Sequence, residues 1–596
     1  MIKTVADFIS DFVAYDLGIE TMFSVTGGGA MFLNDSFGNH EKLKVVYNHH
    51  EQASAMAAVG YAKAKEDYGL ACVTTGCGWT NALTGLLDAW QDNVPVIFIS
   101  GQVKLKDTTT GTGLSIRQLG VQEANILKIV GGITKYSVML TNPDLVKYEL
   151  QKAAQIAKHG NPGPVWIDVP QDIQGAPVET EKLVAFEGFR AEGTIDSDEM
   201  DFIQSALNSS QRPIVLAGNG LRLSNQREEF KSFINRLKLP VVFSYLSLDL
   251  LPSDDELNIG RLGTKGDRAG NFAIQNADLV LVLGSRLSIP LTGFEYDKFA
   301  RAAKIVVIDV DENEHSKNTV RIDKFIKGDL RYFFKDENIT LTKNYSTWLE
   351  TCLRWKKMWP VYQQEYKKQS PINMYEFIDV LREFAKDNSH FVSDAGSAYY
   401  VTSQAIQIKS SQRYHTSGAQ ADMGFTLPAS LGVCFAKPDN PVIGITGDGS
   451  FQMNIQELQL MKHHQPNLKL VIWNNAGYLS IKTTQRKFFN ERFAGTGEKS
   501  GLSFPDSEKI ASAYGIDFYR FDEAEDLRNT LPSILKTKGP TIIEVICPEF
   551  QEVIPNVSAV KREDGSMLSK PLEDMYPFLE RESFYSEMIV DALDEK

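Results

Sequence analysis

Two polar side chains that could hold a metal ion follow two neighbouring apolar runs near residue 450. Asp448 comes after the run 441–446. Asn475 comes after the run 468–473. A helical pattern over 452–464 lies between them, so the segment is predicted to be one βαβ unit whose strands end at the same edge of a sheet, where ligands bind in α/β proteins. A carboxylate, a carboxamide and backbone carbonyls form a hard oxygen site that suits Mg²⁺, which usually completes its shell with phosphate oxygens.

The turn around Asp448 also suits a diphosphate group. Gly447 and Gly449 let backbone N–H groups approach an anion closely. Ser450 is predicted to begin a helix, whose positive end favours that anion. An acidic turn in an ordinary α/β protein is the alternative interpretation of these residues taken alone.

A second group with chemical potential is Glu51, at the junction between a short apolar strand and an alanine-rich helix. One interpretation is an ordinary first-turn acid, which the helix dipole stabilises by about 0.3–1 kcal/mol. The other interpretation starts from residues 53–58, which carry no charge. A carboxyl group in apolar surroundings has its protonated form favoured, and such a group is suited to general acid–base catalysis.

The elements that must position these groups alternate along the chain. Short apolar runs separated by helix-length segments predict parallel strands, and we expect an α/β protein with three doubly wound parallel-sheet domains. The predicted domains are 1–178, 195–340 and 371–550, and they are followed by a tail over 551–596. The tail is predicted to pack on the surface or over the site as a lid, or to be a solvated extension.

The Gly-Asp-Gly turn and the two asparagines that follow it resemble the signature of thiamine diphosphate enzymes. Together with Glu51 and its neighbours, they resemble the acetolactate synthase branch of the thiamine-dependent decarboxylases, over about residues 3–550. The resemblance implies that the first domain binds the aminopyrimidine and that the third binds the diphosphate with Mg²⁺. It also implies that Glu51 activates the cofactor by driving its aminopyrimidine to the imino form, with Gln122 close by.

The same resemblance implies a set of binding residues in both domains. Met423 corresponds to the apolar wedge that bends the cofactor, although without the motif it would be interpreted as a core methionine. The backbone carbonyl of Gly477 corresponds to a third metal ligand beside Asp448 and Asn475. The implied cofactor-binding positions are Gly27, Gly28, Thr75, Gly76, Gly396, Ser397, Ala398, Ala421, Met423, Gly447, Gly449, Ser450, Gly477 and Tyr478.

Two further features bear on cofactors and substrates. The family's middle domain often binds FAD without using its redox chemistry, and turns at 217–220, 260–263 and 284–286 match the loops that would hold it. Such glycine turns are also ordinary strand ends, so FAD is one of two interpretations. Where the biosynthetic enzymes carry a tryptophan that shapes the acceptor pocket, this chain has Thr484. The acceptor pocket therefore resembles that of carboligases that act on larger carbonyl acceptors, including keto-sugars.

The resemblance implies a carboligase that decarboxylates a 2-oxo acid donor, pyruvate in the first instance, and transfers the acyl unit to a carbonyl acceptor. A plain decarboxylase that releases an aldehyde is the nearest alternative. A non-catalytic cofactor-binding or regulatory protein is an alternative of another class, since a fold does not determine a function. In the family, the acid and the diphosphate site come from different chains, so we expect a homodimer or homotetramer with shared active sites.

Composition narrows the class of protein. The 596 residues carry a net charge of −14, which argues against nucleic acid as a partner. The five cysteines are scattered without a zinc-binding spacing, as is usual in a reducing compartment. There is no secretory signal, and no apolar run approaches the roughly 20 residues that span a bilayer. We therefore expect a cytoplasmic protein without a membrane partner.

Overall fold

Three six-stranded sheets form the framework of the chain. The computed structural model describes residues 1–189, 193–335, 339–561 and 567–593. Every strand pairing described within the three sheets is parallel. The predicted α/β class with three parallel-sheet domains is confirmed.

Each sheet has its own segment of the chain. In spatial order, the strands of the first sheet are Lys44–Tyr47, Thr21–Ser24, Gly69–Val73, Val96–Gln102, Val165–Pro170 and Tyr136–Met139. Those of the central sheet are Asn258–Arg261, Val241–Phe243, Pro213–Ala217, Leu279–Leu283, Lys304–Asp309 and Lys324–Lys327. Those of the third sheet are Arg413–Thr416, His390–Ser393, Val442–Gly447, Leu468–Asn474, Thr541–Ile546 and Asp517–Phe521.

Helices connect and cover these strands. The principal ones are Val5–Asp11, Met31–Gly38, Glu51–Lys65, Leu83–Gln91, Val146–Lys158, Ser197–Ser209, Arg227–Leu237, Arg268–Gln275, Ser346–Met358, Met374–Phe384, Gly396–Ala405, Thr426–Ala436, Leu458–His464, Leu479–Phe489, Ser507–Tyr514, Ala524–Lys536 and Arg581–Glu587. None of the helices in the described part of the chain has both the length and the apolarity that crossing a membrane requires.

The observed structure differs in two ways from the single helix predicted over 452–464. A short helix already begins at Asp448, before Ser450, and ends at Phe451. The predicted span itself is divided into the 3-10 segment Gln452–Glu457 and the α-helix Leu458–His464. Asn454 has φ −133°, outside the helical region, and this residue interrupts the helix.

The first and third sheets are joined by a close crossing of the helices Glu51–Lys65 and Thr426–Ala436. A Cβ added at Gly60 would overlap the backbone of Ala429, and one added at Gly432 would overlap the carbonyl oxygen of Ala57. Only glycine lets the two backbones approach this far. The crossing therefore positions the start of the first helix, where Glu51 lies, relative to the third sheet.

The change Gly60→Ala tests this crossing. Helix propensity alone predicts that alanine stabilises the protein by about 1 kcal/mol, because glycine is the poorer helix former. The overlap predicts the opposite, a loss of about 1–3 kcal/mol, as in overpacked cores. We expect a lower melting temperature for Gly60→Ala. Gly132→Ala is the control, since a Cβ there meets no atom within 4 Å. Equal melting temperatures for both variants would contradict the close crossing of the two helices.

The described part of the tail packs on the central sheet's helix Arg268–Gln275. Glu573 is buried, accepts a hydrogen bond from Gln275 Nε2 at 2.6 Å, and forms an ion pair with Arg301 at 2.7 Å. Asn271 Nδ2 donates to the carbonyl oxygen of Leu572. These contacts contradict a wholly solvated extension. Residues 562–566 and 594–596 of the predicted tail lie outside the described residues.

Candidate active site

The third sheet brings three of the predicted binding segments to one edge. The strand order reverses between His390–Ser393 and Val442–Gly447, and a crevice opens at such a reversal. The loop 394–398 follows the first of these strands, and the turn 447–450 lies at the end of the second. The loop 475–478 follows the next strand. All three therefore lie at the carboxyl ends of neighbouring strands.

Asp448 and Asn475 form the centre of this edge. The Asp448 carboxylate is buried and accepts hydrogen bonds from the backbone N–H groups of Gly477 at 3.0 Å and Gly449 at 2.7 Å. Burial raises the pKa of Asp448 to about 6, although these N–H groups and Lys482 act in the opposite direction. Asn475 Oδ1 is buried and has no hydrogen-bond partner among the described residues. A buried acceptor without a protein partner is open to water or to a ligand, and a cation here would satisfy both side chains.

Metal sites built from several acidic, histidine or cysteine side chains are a different case. Among the described residues, no three such side chains form a group that could hold a metal ion. A site made of one carboxylate, one carboxamide oxygen and a backbone carbonyl needs no such group. The residues present therefore fit Mg²⁺, which prefers oxygen ligands and keeps several positions for water or phosphate.

Asp394, which the sequence analysis did not assign to the site, ties these loops together. Its Oδ2 accepts hydrogen bonds from Ser450 Oγ at 2.5 Å and from Thr446 Oγ1 at 2.9 Å. Ser450 Oγ accepts in turn from the backbone N–H of Gly424 at 2.7 Å. Asp394 thus connects the start of the helix at Gly396, the turn at 447–450 and the segment that contains Met423. Its position directly after a predicted strand was the available signal.

The glycines of this edge have different roles. A Cβ at Gly447 would meet no atom within 4 Å, so the space above this residue is open to a ligand. A Cβ at Gly449 would overlap the ring of Tyr478. Gly477 has φ +140°, and a Cβ there would overlap the carbonyl oxygen of Thr496. The absence of a side chain at Gly449 and Gly477 therefore serves packing within the protein, in addition to any approach of a diphosphate.

The remaining predicted positions of this half lie at a helix start and on a loop next to the same edge. Gly396 has φ +57° and begins the helix that contains Ser397 and Ala398. Ala421 also has positive φ, at +54°, and its N–H donates to the carbonyl oxygen of Ser417. Met423 is half-buried between Ala421 and Gly424.

The first sheet holds Glu51 at the start of the helix Glu51–Lys65. Glu51 is 9% exposed, and its Oε2 accepts a hydrogen bond from Asn81 Nδ2 at 2.9 Å. Oε1 lies 3.5 Å from where a Cβ of Gly78 would be, so the lack of a side chain there leaves this oxygen accessible. Asn81 was not predicted as a site residue, because an asparagine on a short helix carries no distinguishing pattern of its own.

The predicted glycine loops of the first sheet surround the same region. The strand order reverses between Thr21–Ser24 and Gly69–Val73, and the loops that follow these two strands contain Gly27 and Gly28, and Thr75 and Gly76. A Cβ at Gly27 would overlap the side chain of Thr74, whereas Gly28 faces open space. Thr75 Oγ1 is buried and donates to Gln102 Oε1 at 2.7 Å.

Gln122 approaches the same loops through its backbone. A Cβ at Gly76 would overlap the carbonyl oxygen of Gln122, and both residues have positive φ, at +67° and +61°. The side chain of Gln122 is exposed. The first sheet therefore groups Glu51, the two glycine loops and Gln122.

Within one chain, no described hydrogen bond joins Glu51 to Asp448. Among the described residues, the side chain of Glu51 accepts its hydrogen bond from Asn81, which lies in the first domain. Contacts between the sheets run instead through Gln52, whose Oε1 accepts from Asn454 Nδ2 at 3.1 Å, and through Asn48, whose Nδ2 donates to Glu457 at 2.9 Å. One chain thus contains the two halves of a site without a described hydrogen bond between Glu51 and the Asp448 half.

A cavity of about 700 Å³ opens beside the central sheet. Two of the three predicted glycine turns line it, with Asn219 and Gly220 on one and Gly284, Ser285 and Arg286 on the other. The third turn, 260–263, is not part of its wall. Asp309 and Asp311, at the end of a strand of the central sheet, line it as well, and Ser285 Oγ is buried without a described hydrogen-bond partner.

Comparison with known proteins accounts for the whole arrangement. Three domain models of thiamine pyrophosphate enzymes match the chain, thiamine pyrophosphate being another name of thiamine diphosphate. They are the N-terminal TPP binding domain over residues 3–128, the central domain over 200–336 and the C-terminal TPP binding domain over 394–545.

Several acetolactate synthases are similar over nearly the full chain. The large subunit of acetolactate synthase from Lactococcus lactis subsp. lactis is 31% identical over 553 residues, which are 91% of this chain and 92% of that protein. The chloroplastic acetolactate synthase of Arabidopsis thaliana is 29% identical, over 91% of this chain and 81% of that protein. The large subunit of acetolactate synthase from Porphyra purpurea is 28% identical, over 91% of this chain and 92% of that protein. The chain belongs to the acetolactate synthase family of thiamine pyrophosphate enzymes.

Proposed function

We propose that this enzyme decarboxylates a 2-oxo acid, pyruvate in the first instance, and joins the acyl unit to a second carbonyl compound such as a keto-sugar. The bond between the acyl carbon and the carboxylate breaks, and CO₂ leaves. A new bond forms between the acyl carbon and the acceptor's carbonyl carbon, and the acceptor oxygen takes up a proton. The product is a hydroxy ketone, and no external oxidant or reductant is required.

The residues of the third sheet would hold the cofactor. The helix start at 396–398 and the turn at 447–450 would bind the diphosphate. Asp448, Asn475 and the Gly477 carbonyl would bind the Mg²⁺. The unpartnered Asn475 Oδ1 and the open space above Gly447 support this assignment. When bound, thiamine diphosphate supplies the electron sink that decarboxylation of a 2-oxo acid needs.

The residues of the first sheet would move the proton. Glu51 Oε1 is the free oxygen of the carboxyl group, because Oε2 accepts a hydrogen bond from Asn81. A fixed carboxyl oxygen can hold a proton at the cofactor's ring nitrogen and so act as general acid–base. Ala421 and Met423 would orient the pyrimidine ring toward it.

The observation that carries the choice of acceptor is the helix Leu479–Phe489, which begins directly after the loop 475–478. Thr484 on this helix is exposed and small, and its Oγ1 donates to the carbonyl oxygen of Ser480 within the helix. At this position the chain therefore lacks the volume of the tryptophan that the biosynthetic enzymes carry. This difference supports an acceptor larger than a second pyruvate.

Measurement of coupled products tests the proposed function. The purified enzyme with thiamine diphosphate and Mg²⁺ is incubated with pyruvate alone and with added aldehydes, ketones and keto-sugars, and both CO₂ and products are measured. We expect CO₂ release to be accompanied by a hydroxy ketone that contains the acceptor. Release of free acetaldehyde as the main product with every acceptor would instead identify a simple decarboxylase.

FAD is the group proposed for the cavity beside the central sheet. Glycine turns that open a helix suit a dinucleotide's phosphates, and an acid at a strand end, such as Asp309, suits a ribose hydroxyl. The volume and the two glycine turns support this proposal. A visible absorption spectrum of the purified protein without flavin bands, unchanged after incubation with FAD and desalting, would refute it.

We also propose that two chains share each site. Glu51 makes its described hydrogen bond within the first sheet. Next to Gln122, Leu114, Leu119 and Val121 are exposed, and Val121 is 83% exposed. An apolar patch of this kind marks an interface, and a second chain would place its diphosphate half there.

Mixing two inactive variants tests this arrangement. Glu51→Gln damages the first-sheet half, and Asp448→Ala damages the third-sheet half. If a dimer shares its sites, each mixed dimer has one intact site, so an equal mixture after subunit exchange should regain about one quarter of wild-type activity. Each variant exchanged with itself is the control. Mixtures that stay inactive despite confirmed exchange would contradict shared sites.

A further inference from the structure

The helix Leu479–Phe489 forms one side of the diphosphate half-site. Its residue Ser480 has Oγ 3.3 Å from where a Cβ of Gly396 would be, so the first turn of the helix lies against the loop at 396–398. From there the helix continues into the exposed residues Ile481, Thr484 and Lys487. This surface is therefore where a substrate that extends beyond the cofactor would lie.

Positive charge accumulates on this surface beyond what carboxylates neutralise. Lys482 pairs with Glu549 at 2.7 Å, and Arg486 pairs with Glu491 at 2.8 Å. Lys487, on the same helix, has no carboxylate partner among the described residues. It therefore adds an uncompensated charge beside the half-site.

A second lysine without a described ion pair comes from the central domain. Lys265 lies on the loop between Asn258–Arg261 and Arg268–Gln275, and its Nζ is 5.7 Å from the ring centroid of Tyr400. Tyr400 lies on the helix that begins at Gly396, so Lys265 reaches the same half-site from another direction. Within the described part of the chain, Lys265 forms no ion pair.

The two lysines repel each other. Burial is the main cause that lowers the pKa of Lys265 to about 8, and the charge of Lys487 lowers it further, while Glu552 acts in the opposite direction. Like charges near each other destabilise each other's charged forms, and an anion bound between them would offset this effect. Phosphate groups are the anions that lysine binds as a point charge in many proteins.

Exposed aromatic rings lie on the helix Leu479–Phe489, just after it, and against its residue Arg486. Phe488, Phe489, Phe493 and Phe550 are all at least one-third exposed, and the guanidinium of Arg486 lies 3.8 Å from the ring centroid of Phe550. Exposed rings next to cations offer stacking surfaces for a flat group such as a nucleobase.

We propose that the acceptor of this enzyme is a carbonyl compound that carries a phosphate or diphosphate group, and that Lys265 and Lys487 bind this group. The inference rests on the proposed carboligase function and names the class of its acceptor. The phosphoryl group stays attached throughout, and its binding directs the acceptor carbonyl toward the half-sites. Where the group is the diphosphate of a nucleotide-linked sugar, the exposed phenylalanine rings contact the base.

Matched acceptors test the proposal. The enzyme loaded with thiamine diphosphate, Mg²⁺ and pyruvate is offered fructose 6-phosphate or fructose, and dihydroxyacetone phosphate or dihydroxyacetone. We expect kcat/KM for the coupled product to be at least about tenfold higher for the phosphorylated member of a pair, since charged hydrogen bonds contribute more than 1.4 kcal/mol in many cases. Lys487→Met and Lys265→Met should bring this ratio close to one.

Two variants serve as controls. Lys487→Arg keeps the charge and should keep most of the preference. Lys536→Met removes an exposed lysine at the end of the helix Ala524–Lys536. This lysine precedes a strand and therefore lies at the opposite edge of the third sheet, so the ratio should stay unchanged. A ratio near one in the wild type, or a high ratio that survives both methionine variants, would overturn the inference.

A binding measurement separates this inference from the proposed function. Calorimetric titration of fructose 6-phosphate and of uridine diphosphate into the loaded protein needs no turnover. We expect binding that Lys487→Met weakens about tenfold. Tighter binding of uridine diphosphate would indicate a nucleotide-linked acceptor, and equal binding a sugar phosphate. The inference would be overturned if neither compound bound, or if Lys487→Met left the binding unchanged. Absence of CO₂ release from a protein that still binds these compounds would overturn only the proposed function.

Discussion

Replacement of Glu51 by glutamine should slow exchange of the C2 proton of bound thiamine diphosphate by about 10²–10⁴-fold, the usual contribution of a positioned acid–base group. Glutamine keeps the size of the side chain and can still accept the hydrogen bond from Asn81, but it cannot exchange a proton. Cofactor affinity should stay close to that of the wild type, because the diphosphate and metal contacts are proposed on the third sheet. Deuterium exchange followed by acid quench and NMR measures the first quantity, and calorimetry the second.

The same substitution elsewhere in the first domain provides the control. Glu149, on the helix Val146–Lys158, bonds to the hydroxyl of Tyr136 and lies outside the proposed site. Glu149→Gln should exchange the C2 proton at the wild-type rate. If Glu51→Gln exchanged equally fast, Glu51 would not be the activating acid.

Replacement of Asp448 by alanine should abolish Mg²⁺-dependent binding of thiamine diphosphate. Asp448 is the one charged ligand of the proposed metal site, and even partners outside the ligand shell are worth about 10–100-fold in metal affinity. We expect a larger loss here. Equilibrium dialysis with and without EDTA measures it, and the melting temperature without cofactor shows whether the variant folds.

An aspartate at the other end of the same strand is the matched control. Asp439 is exposed and precedes the strand Val442–Gly447, which Asp448 follows. Asp439→Ala should bind the cofactor with unchanged affinity. Equal affinity of Asp448→Ala and Asp439→Ala for thiamine diphosphate would remove Asp448 from the metal site.

Much of the framework could be predicted because its signals are local. A strand of a covered parallel sheet is apolar on both faces, so it appears in the sequence as a short apolar run. The runs before Asp448 and before Asn475 belong to one βαβ unit, and strands that follow each other in such a unit are usually neighbours in the sheet. Their meeting at one sheet edge therefore follows from a single segment.

Other contacts depend on residues far apart in the chain. Asp394 bonds to Thr446 and Ser450, more than fifty positions later, and no pattern near Asp394 indicates these partners. The choice of Asn81 as the partner of Glu51 depends on how two loops of the first sheet pack. The break at Asn454 was missed for the same reason, because its Nδ2 donates to the carbonyl oxygen of Gly424 at 2.8 Å and this tertiary bond outweighs helix propensity.

The sequence by itself indicated the fold class, the candidate metal ligands, the candidate acid Glu51 and the resemblance to a family, since each depends on periodicity or on residue types at short spacing. Only the tertiary structure decided that Asn81 is the hydrogen-bond partner of Glu51, and that Lys265 lies beside Tyr400 on the helix that begins at Gly396. These relations depend on how the three sheets pack against one another. That packing is determined by close crossings such as Gly60 against Ala429, which a linear pattern does not encode.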